Sequence, residues 1–341
     1  MIRSPTERIS WNYCRSWTLR RMMMKELTLL EIASFLKEHD NYIMLTHRRP
    51  DGDTIGCAAA LCGGLRKLGK RAWVLENPQF TPKYRPFLDG LTIKAPVENA
   101  VFVAVDIATQ ELLPYNATDY VNQIDLRIDH HGRNMAFGVC GYVEPKAAAC
   151  GEIILELLQT MQVQMDKLIA EALYLAISTD TGCFRYSNVT ANTLRAAALC
   201  KDCGADTFMI NQVMFMTRRF ARLKLDAYLA DTIELYADGA VAVNILPAQI
   251  RTELGITEDD IDDISGFGRQ IEGVEIAAMI RQEPEGAKLS VRTSPKYDAS
   301  EICSHMGGGG HAAAAGATVN ALPDEAKRLF LTTLTEMGVE L

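Results

Sequence analysis

The chain has 341 residues, 48% of them hydrophobic, with a formal charge of -8, which is length and apolar content enough for two cores. That acidic balance excludes a protein that coats long nucleic acid through a broad basic face, because such affinity comes from many phosphate contacts. No apolar run reaches the ~20 residues of a membrane span, and nine scattered cysteines without a secretory context predict a reducing cytoplasm rather than a disulfide framework.

Residues 1–24 carry Arg3, Arg8, Arg15, Arg20 and Arg21 but no continuous apolar segment or cleavage site, so they predict a disordered extension rather than a secretory signal. From Leu27 the pattern becomes regular: an amphipathic helix to about His39, an apolar strand Tyr42 to Thr46, a polar turn Arg48 to Asp53, then a helix over 54–68 with Gly69 at its C-cap. Strands follow at Ala72 to Leu75, Val101 to Val105 and Ile124 to Ile128, and helices at 151–161 and 167–179. This alternation predicts an α/β domain over 25–200 with a doubly wound, mainly parallel sheet, whose C-terminal strand ends share one ligand-binding edge. Residues 201–235 predict a helical connector, and 236–341 a smaller α/β domain with strands at Ala240 to Leu246, Val274 to Ile280 and Lys288 to Thr293. A glycine loop over 307–310 and a final helix from about Asp324 complete it.

Chemistry concentrates at the ends of the apolar elements. His47, Asp51 and Asp53 fall on one strand-to-helix turn, Asp106 ends the run from Val101, Asp129-His130-His131 ends the run from Ile124, and Asp180 ends a helix. Taken singly, Asp53 reads equally well as an ordinary helix cap. A carboxylate buried at the end of an apolar element costs several kcal/mol unless paired or metal-bound, and no Lys or Arg lies within two positions of Asp106 or Asp180. Arg127 offers Asp129 a plain ion pair. Imidazole with oxygen ligands suits Mn²⁺ or Mg²⁺, with zinc kept open, and two ions about 3.5–4 Å apart stabilise both attacking and leaving oxygens of phosphoryl transfer. Further on, Gly307 to Gly310 and His311 precede the alanines 312–315, read here as a helix whose N-terminus, with Gly308, Gly309 and Gly310 backbone amides, binds a phosphate.

Four segments, His47-Arg48-Arg49-Pro50-Asp51-Gly52-Asp53-Thr54, Val103-Ala104-Val105-Asp106, Ile128-Asp129-His130-His131-Gly132 and Ser178-Thr179-Asp180-Thr181-Gly182, resemble the successive motifs of the DHH phosphoesterase superfamily. The glycine run with His311 resembles the signature of the DHH-associated C-terminal domain. The resemblance implies that His47, Asp51 and Asp106 hold one ion, and that Asp53, Asp106, His130 and Asp180 hold the other, with Asp106 bridging. It also implies that Asp129 orients the His130 ring from behind and that His131 meets the substrate phosphate or the leaving oxygen. In the second domain it implies a phosphate grip by Arg292, Gly308, Gly309, Gly310 and His311, to which Arg185 after the fourth motif is added.

Within the superfamily the chain resembles bacterial oligoribonucleases that also dephosphorylate 3′-phosphoadenosine 5′-phosphate (pAp). Substrates are then short RNA, linear dinucleotides such as pApA, or nucleoside bisphosphates, acted on by a cytoplasmic enzyme with two divalent ions, Mn²⁺ before Mg²⁺. No membrane or long duplex is involved, and homo-oligomers are compatible with the sequence. Alternatives are a manganese-dependent pyrophosphatase, a cyclic-di-AMP phosphodiesterase, or an inactive nucleotide-binding protein.

Overall fold

In a computed structural model of the chain, the described residues are 24–132, 137–261 and 263–341; the predicted extension, but for its last residue, lies outside them. The chain divides into two units between Met216 and Thr217, inside the segment 201–235. None of its described helices is long and apolar enough to cross a membrane.

The first unit runs β1 (Lys25–Glu26), α1 (Leu29–Glu38), β2 (Tyr42–Leu45), α2 (Gly52–Lys67), β3 (Ala72–Leu75), β4 (Thr92–Ile93), β5 (Val101–Val105), β6 (Ile124–Asp129), β7 (Cys140–Val143), α3 (Cys150–Thr160), α4 (Lys167–Asp180), α5 (Ala191–Asp202) and α6 (Thr207–Asn211). Its strands form one sheet in the order β1-β7-β6-β5-β2-β3-β4, and every pairing is parallel. The short strands β1, β4 and β7 were not expected from the sequence. All four β2 residues are buried, as both-faced coverage of a parallel sheet requires. On one face α1 to α5 share a core with Met44, Val103, Val105, Leu126 and Ile128. On the other, Ile43, Leu45, Phe102 and Ala104 pack with Leu113 and Ala117, which belong to a stretch of 3₁₀ turns over residues 110–123.

Local signals fix several boundaries. Thr28 and Glu31 form a reciprocal capping box at α1. Gly69 follows α2 with φ 77°, the left-handed conformation that ends helices. Met44 pairs with Val103 and Val103 with Leu126, so β2, β5 and β6 are consecutive parallel neighbours. Their C-terminal ends, which carry His47, Asp106 and Asp129 to His131, therefore emerge at one edge.

The second unit contains α7 (Phe220–Thr232), β8 (Glu234–Tyr236), β9 (Val241–Leu246), α8 (Ala248–Glu253), β10 (Ile276–Glu283), β11 (Gly286–Thr293), α9 (Ala299–Ser304), β12 (Gly309–His311), β13 (Ala314–Val319) and α10 (Pro323–Glu336). Its sheet, ordered β12-β13-β11-β10-β9-β8, pairs antiparallel except at β9 and β10. Helices α9 and α10 cover the face bearing Leu289, Val291, Ala315 and Ala317.

One expectation fails here: the alanines after His311 do not start a helix. Ala312 and Ala313 make the turn of a hairpin, and Ala314–Val319 is strand β13, paired with Ala287 to Arg292. Alanine favours helix by less than 1 kcal/mol per residue, and sheet pairing on both sides outweighs that. No helix N-terminus therefore stands behind the glycine run, which instead follows the C-terminal end of α9.

Candidate metal centre

The first motif is a turn pinned from three sides. Asp51 is the N-cap of α2, its Oδ1 accepting from the Asp53 and Thr54 amides; the cap is thus Asp51 and not Asp53. The Thr54 hydroxyl donates to the Val105 carbonyl at 2.9 Å and accepts from the His47 amide at 3.3 Å, tying the turn to the end of β5. Asn77 Nδ2 donates to the His47 carbonyl. Thr54 was quoted in the motif without a role, and Asn77 carries no sequence signal at all.

Asp53 is fully buried. Its Oδ2 accepts from the Cys150 amide at 2.6 Å, and its Oδ1 from the Gly151 amide at 2.9 Å and the Cys57 thiol at 3.2 Å. Helix α3 begins at Cys150 and its own N-cap, Ala149, makes no side-chain bond. Asp53, 97 residues away from Cys150, therefore caps α3 from α2.

Around these turns the predicted ligands converge. His47 Nε2 lies 3.4 Å from Asp51 Oδ1 and 3.9 Å from Asp106 Oδ2. His130 Nε2 lies 3.8, 3.5 and 3.3 Å from carboxylate oxygens of Asp53, Asp106 and Asp180. His47 with Asp51 and Asp106 makes one group that could hold a metal ion, and Asp53 with His130 and Asp180 another. Asp106 contributes to the first and touches His130 of the second. It sits at φ 55°, a left-handed conformation costly for a non-glycine residue, with its amide donating to the Ile128 carbonyl.

Both histidines present the same nitrogen. His47 Nδ1 donates to the Arg48 carbonyl at 3.0 Å and His130 Nδ1 to the Ala147 carbonyl at 3.1 Å, which leaves Nε2 facing the carboxylates as the atom that would bind an ion once its proton is displaced. Asp129 thus does not orient the His130 ring, as the resemblance implied; the Ala147 carbonyl does. Asp129 accepts the His130 and His131 amides and, at 2.8 Å, His131 Nδ1. A third possible metal-holding group contains Asp106, His130 and His131, but with Nδ1 donating to Asp129 that nitrogen has no lone pair for an ion.

The fit to divalent cations rests on what lacks partners. Among the described residues no Lys or Arg pairs with Asp51, Asp53, Asp106 or Asp180, and Asp106 Oδ1 and His130 Nε2 are buried without a hydrogen bond. Unsatisfied buried polar atoms are rare, and a ligand atom aimed at an ion is a sufficient reason. The protonation equilibria agree. Burial and the neighbouring Asp180 charge push Asp53 up to about 8, while burial and Asp53 raise Asp106 well above the carboxylate range. Burial opposes but the Asp51 charge raises His47 to about 9; burial opposes but Asp180 and Asp53 raise His130 to about 10. Protons are held where cations would otherwise balance the charge.

The structure separates the remaining candidates. Arg185 is exposed on the turn after α4, its Nε donating to the Gly182 carbonyl at 2.6 Å. In the second unit, Arg292 pairs with Ala314 across β11 and β13, and Ala314 with His311 across β13 and β12. Directly opposite residues share a face, so Arg292 and His311 stand on the same side with one alanine between them. A Cβ on Gly308 would lie 2.2 Å from the Gly316 carbonyl oxygen, and one on Gly310 2.6 Å from that of Ala314. These glycines permit close strand approach, and Gly309 has open space.

Residues 41–177 match the DHH family, N-terminal domain, and residues 238–337 the DHHA1 domain. The chain is 32% identical over 313 residues to the bifunctional oligoribonuclease and PAP phosphatase NrnA of Thermus thermophilus, spanning 89% of this chain and 93% of that one. An exopolyphosphatase-related protein from Bacteroides fragilis shares the fold, with TM-score 0.78 at 22% identity over 90% of this chain and 96% of that one. Thermus thermophilus RecJ, solved in complex with Mn²⁺, superposes with TM-score 0.53 at 15% identity, over 92% of this chain and 55% of that one.

Proposed function

This chain belongs to the DHH family of phosphoesterases, which are hydrolases, and from that premise we propose that it cleaves short oligoribonucleotides and removes a phosphate from pAp with two divalent ions. The observation that carries the two-ion reading is Asp106, whose two oxygens face His47 on one side and His130 on the other. His47, Asp51 and Asp106 would hold one ion, and Asp53, Asp106, His130 and Asp180 the second; Mn²⁺ suits this oxygen-rich set. When bound, the ions supply positive charge to the phosphoryl oxygens and acidity to the attacking water. His131, held through Nδ1, presents its ring to the leaving oxygen as proton donor. In the second unit Arg292 and His311, on their shared face, bind a substrate phosphate with the Gly308 to Gly310 backbone. Arg185 is a weaker candidate for the same task.

The likeness to NrnA over nearly the whole chain supports short RNA and pAp over pyrophosphate. The test is a turnover panel with Mn²⁺ on pAp, di- to pentaribonucleotides, pApA and pyrophosphate. Hydrolysis of the first three with little on pyrophosphate is expected, and pyrophosphate as the best substrate would overturn the reading. Asp106→Ala should lower turnover at least 10³-fold; near-normal rates at saturating Mn²⁺ would refute the bridge.

A further inference from the structure

Strand β6 carries two charged side chains into the protein on one face, and both are fully buried: Arg127 and Asp129. Residues i and i+2 of a strand point the same way, and here they form an ion pair through Arg127 Nη2 and Asp129 Oδ2. Arg127 is itself fixed, with Nε donating to the Ile107 carbonyl at 3.0 Å and the guanidinium lying 4.8 Å from the centre of the Phe137 ring. The other oxygen of Asp129 accepts from His131 Nδ1 at 2.8 Å. The result is one chain of contacts: Ile107 carbonyl, Arg127, Asp129, His131. His131 alone of these side chains reaches solvent, at 28% exposure.

We propose that Arg127 is a positioning residue for proton transfer by His131, acting through Asp129. A buried carboxylate with one oxygen unsatisfied turns to find another donor, and removing one partner of a buried pair is costly. Arg127 fills Oδ2, so Oδ1 stays aimed at His131 Nδ1. That fixes the ring orientation and assigns Nε2 to the substrate. In the reaction, water adds to phosphorus as the bond from phosphorus to the ribose oxygen breaks, and the Nε2 proton of the His131 imidazolium goes to that oxygen. The water's proton, lost on attack, returns the histidine to its starting state by way of solvent. A strand arginine two positions before the Asp-His-His triplet thus belongs to the acid rather than to the sheet. The inference rests on the proposed role of His131, and the experiment separates the two.

Two substrates divide the outcomes: pApA, whose ribose leaving group needs a proton, and bis-p-nitrophenyl phosphate, whose leaving group does not. His131→Gln, Arg127→Met and Arg127→Lys are compared in the Mn²⁺-loaded enzyme, with metal content and thermal unfolding measured for each. His131→Gln and Arg127→Met are each expected to lower kcat on pApA on the order of 10²-fold, with KM little changed and the nitrophenyl ester slowed less than about 10-fold. Arg127→Lys keeps the charge but loses the forked geometry, and falls between. If Arg127→Met does not fold, the lysine variant shows the same leaving-group selectivity in smaller measure. Nitrogen-15 spectra of the ring should report His131 with its proton on Nδ1 in the metal-free parent at alkaline pH and a mixture in either Arg127 variant. Equal losses on both substrates in the Arg127 variants, or normal pApA turnover there while His131→Gln is slow, would overturn the role of Arg127. Equal losses on both substrates in His131→Gln would overturn the acid role of His131, and the inference with it.

Discussion

Asp53 does two jobs. It faces His130 and it caps α3 through the Cys150 and Gly151 amides. In the metal-free protein it holds a proton near neutrality, its pKa being about 8, so deleting it relieves little repulsion but strands two helix amides. Asp53→Ala should therefore cost about 1–2 kcal/mol of metal-free stability in urea unfolding. Stability unchanged within about 0.5 kcal/mol would show that the cap carries no weight. The same protonation gives a pH prediction. Asp53 and Asp106 are raised, and His47 and His130 are raised to about 9 and 10, so at pH 7 these side chains hold protons that a binding ion would displace. Metal affinity should strengthen as pH rises from 6 to 8, with proton release visible by calorimetry in buffers of different ionisation enthalpy. Affinity flat across that range would contradict the assignment.

At the scale of elements, the spacing between Asp53 and Asp180 is set by how closely α2 meets α4. A Cβ added to Gly56 would lie 2.2 Å from the Ala172 carbonyl oxygen, and one on Gly52 2.4 Å from the Thr179 side chain. These glycines, four apart, form a seam along which α2 lies close against α4, touching its backbone at Gly56. Gly56→Val should lower stability by about 1–3 kcal/mol and weaken metal binding at least tenfold, although no candidate ligand changes. Unaltered metal titration in a destabilised variant would mean the helix spacing does not govern the site.

For the whole molecule, the proposal assigns the reaction to the first unit and a phosphate grip to the second. Arg292→Ala and His311→Ala should raise KM for pApA by tenfold or more while leaving bis-p-nitrophenyl phosphate within about threefold, read from initial rates on both substrates; equal effects would remove the grip. Much of this was legible in the chain. β3 and β5 fall on the expected residues, because an apolar β-branched run between polar turns has few other solutions. The convergence of His47, Asp106 and the Asp129 triplet followed from parallel strands ending at one edge. Strand β13 was not legible: its alanines carry no period-two signal, and only pairing with β11 and burial of Ala315 and Ala317 against α9 make them a strand. The partners of Asp129 and Asp53 were hidden for a related reason. Arg127 stood in view as an ion-pair partner, yet which ring Asp129 holds depends on the turn after β6, and the α3 amides reach Asp53 across 97 residues of sequence. The sequence determined which side chains could carry charge and which apolar runs had to be buried, since both follow from local composition. Only the tertiary structure decided which oxygen meets which nitrogen, because that depends on how separate helices and strands approach one another.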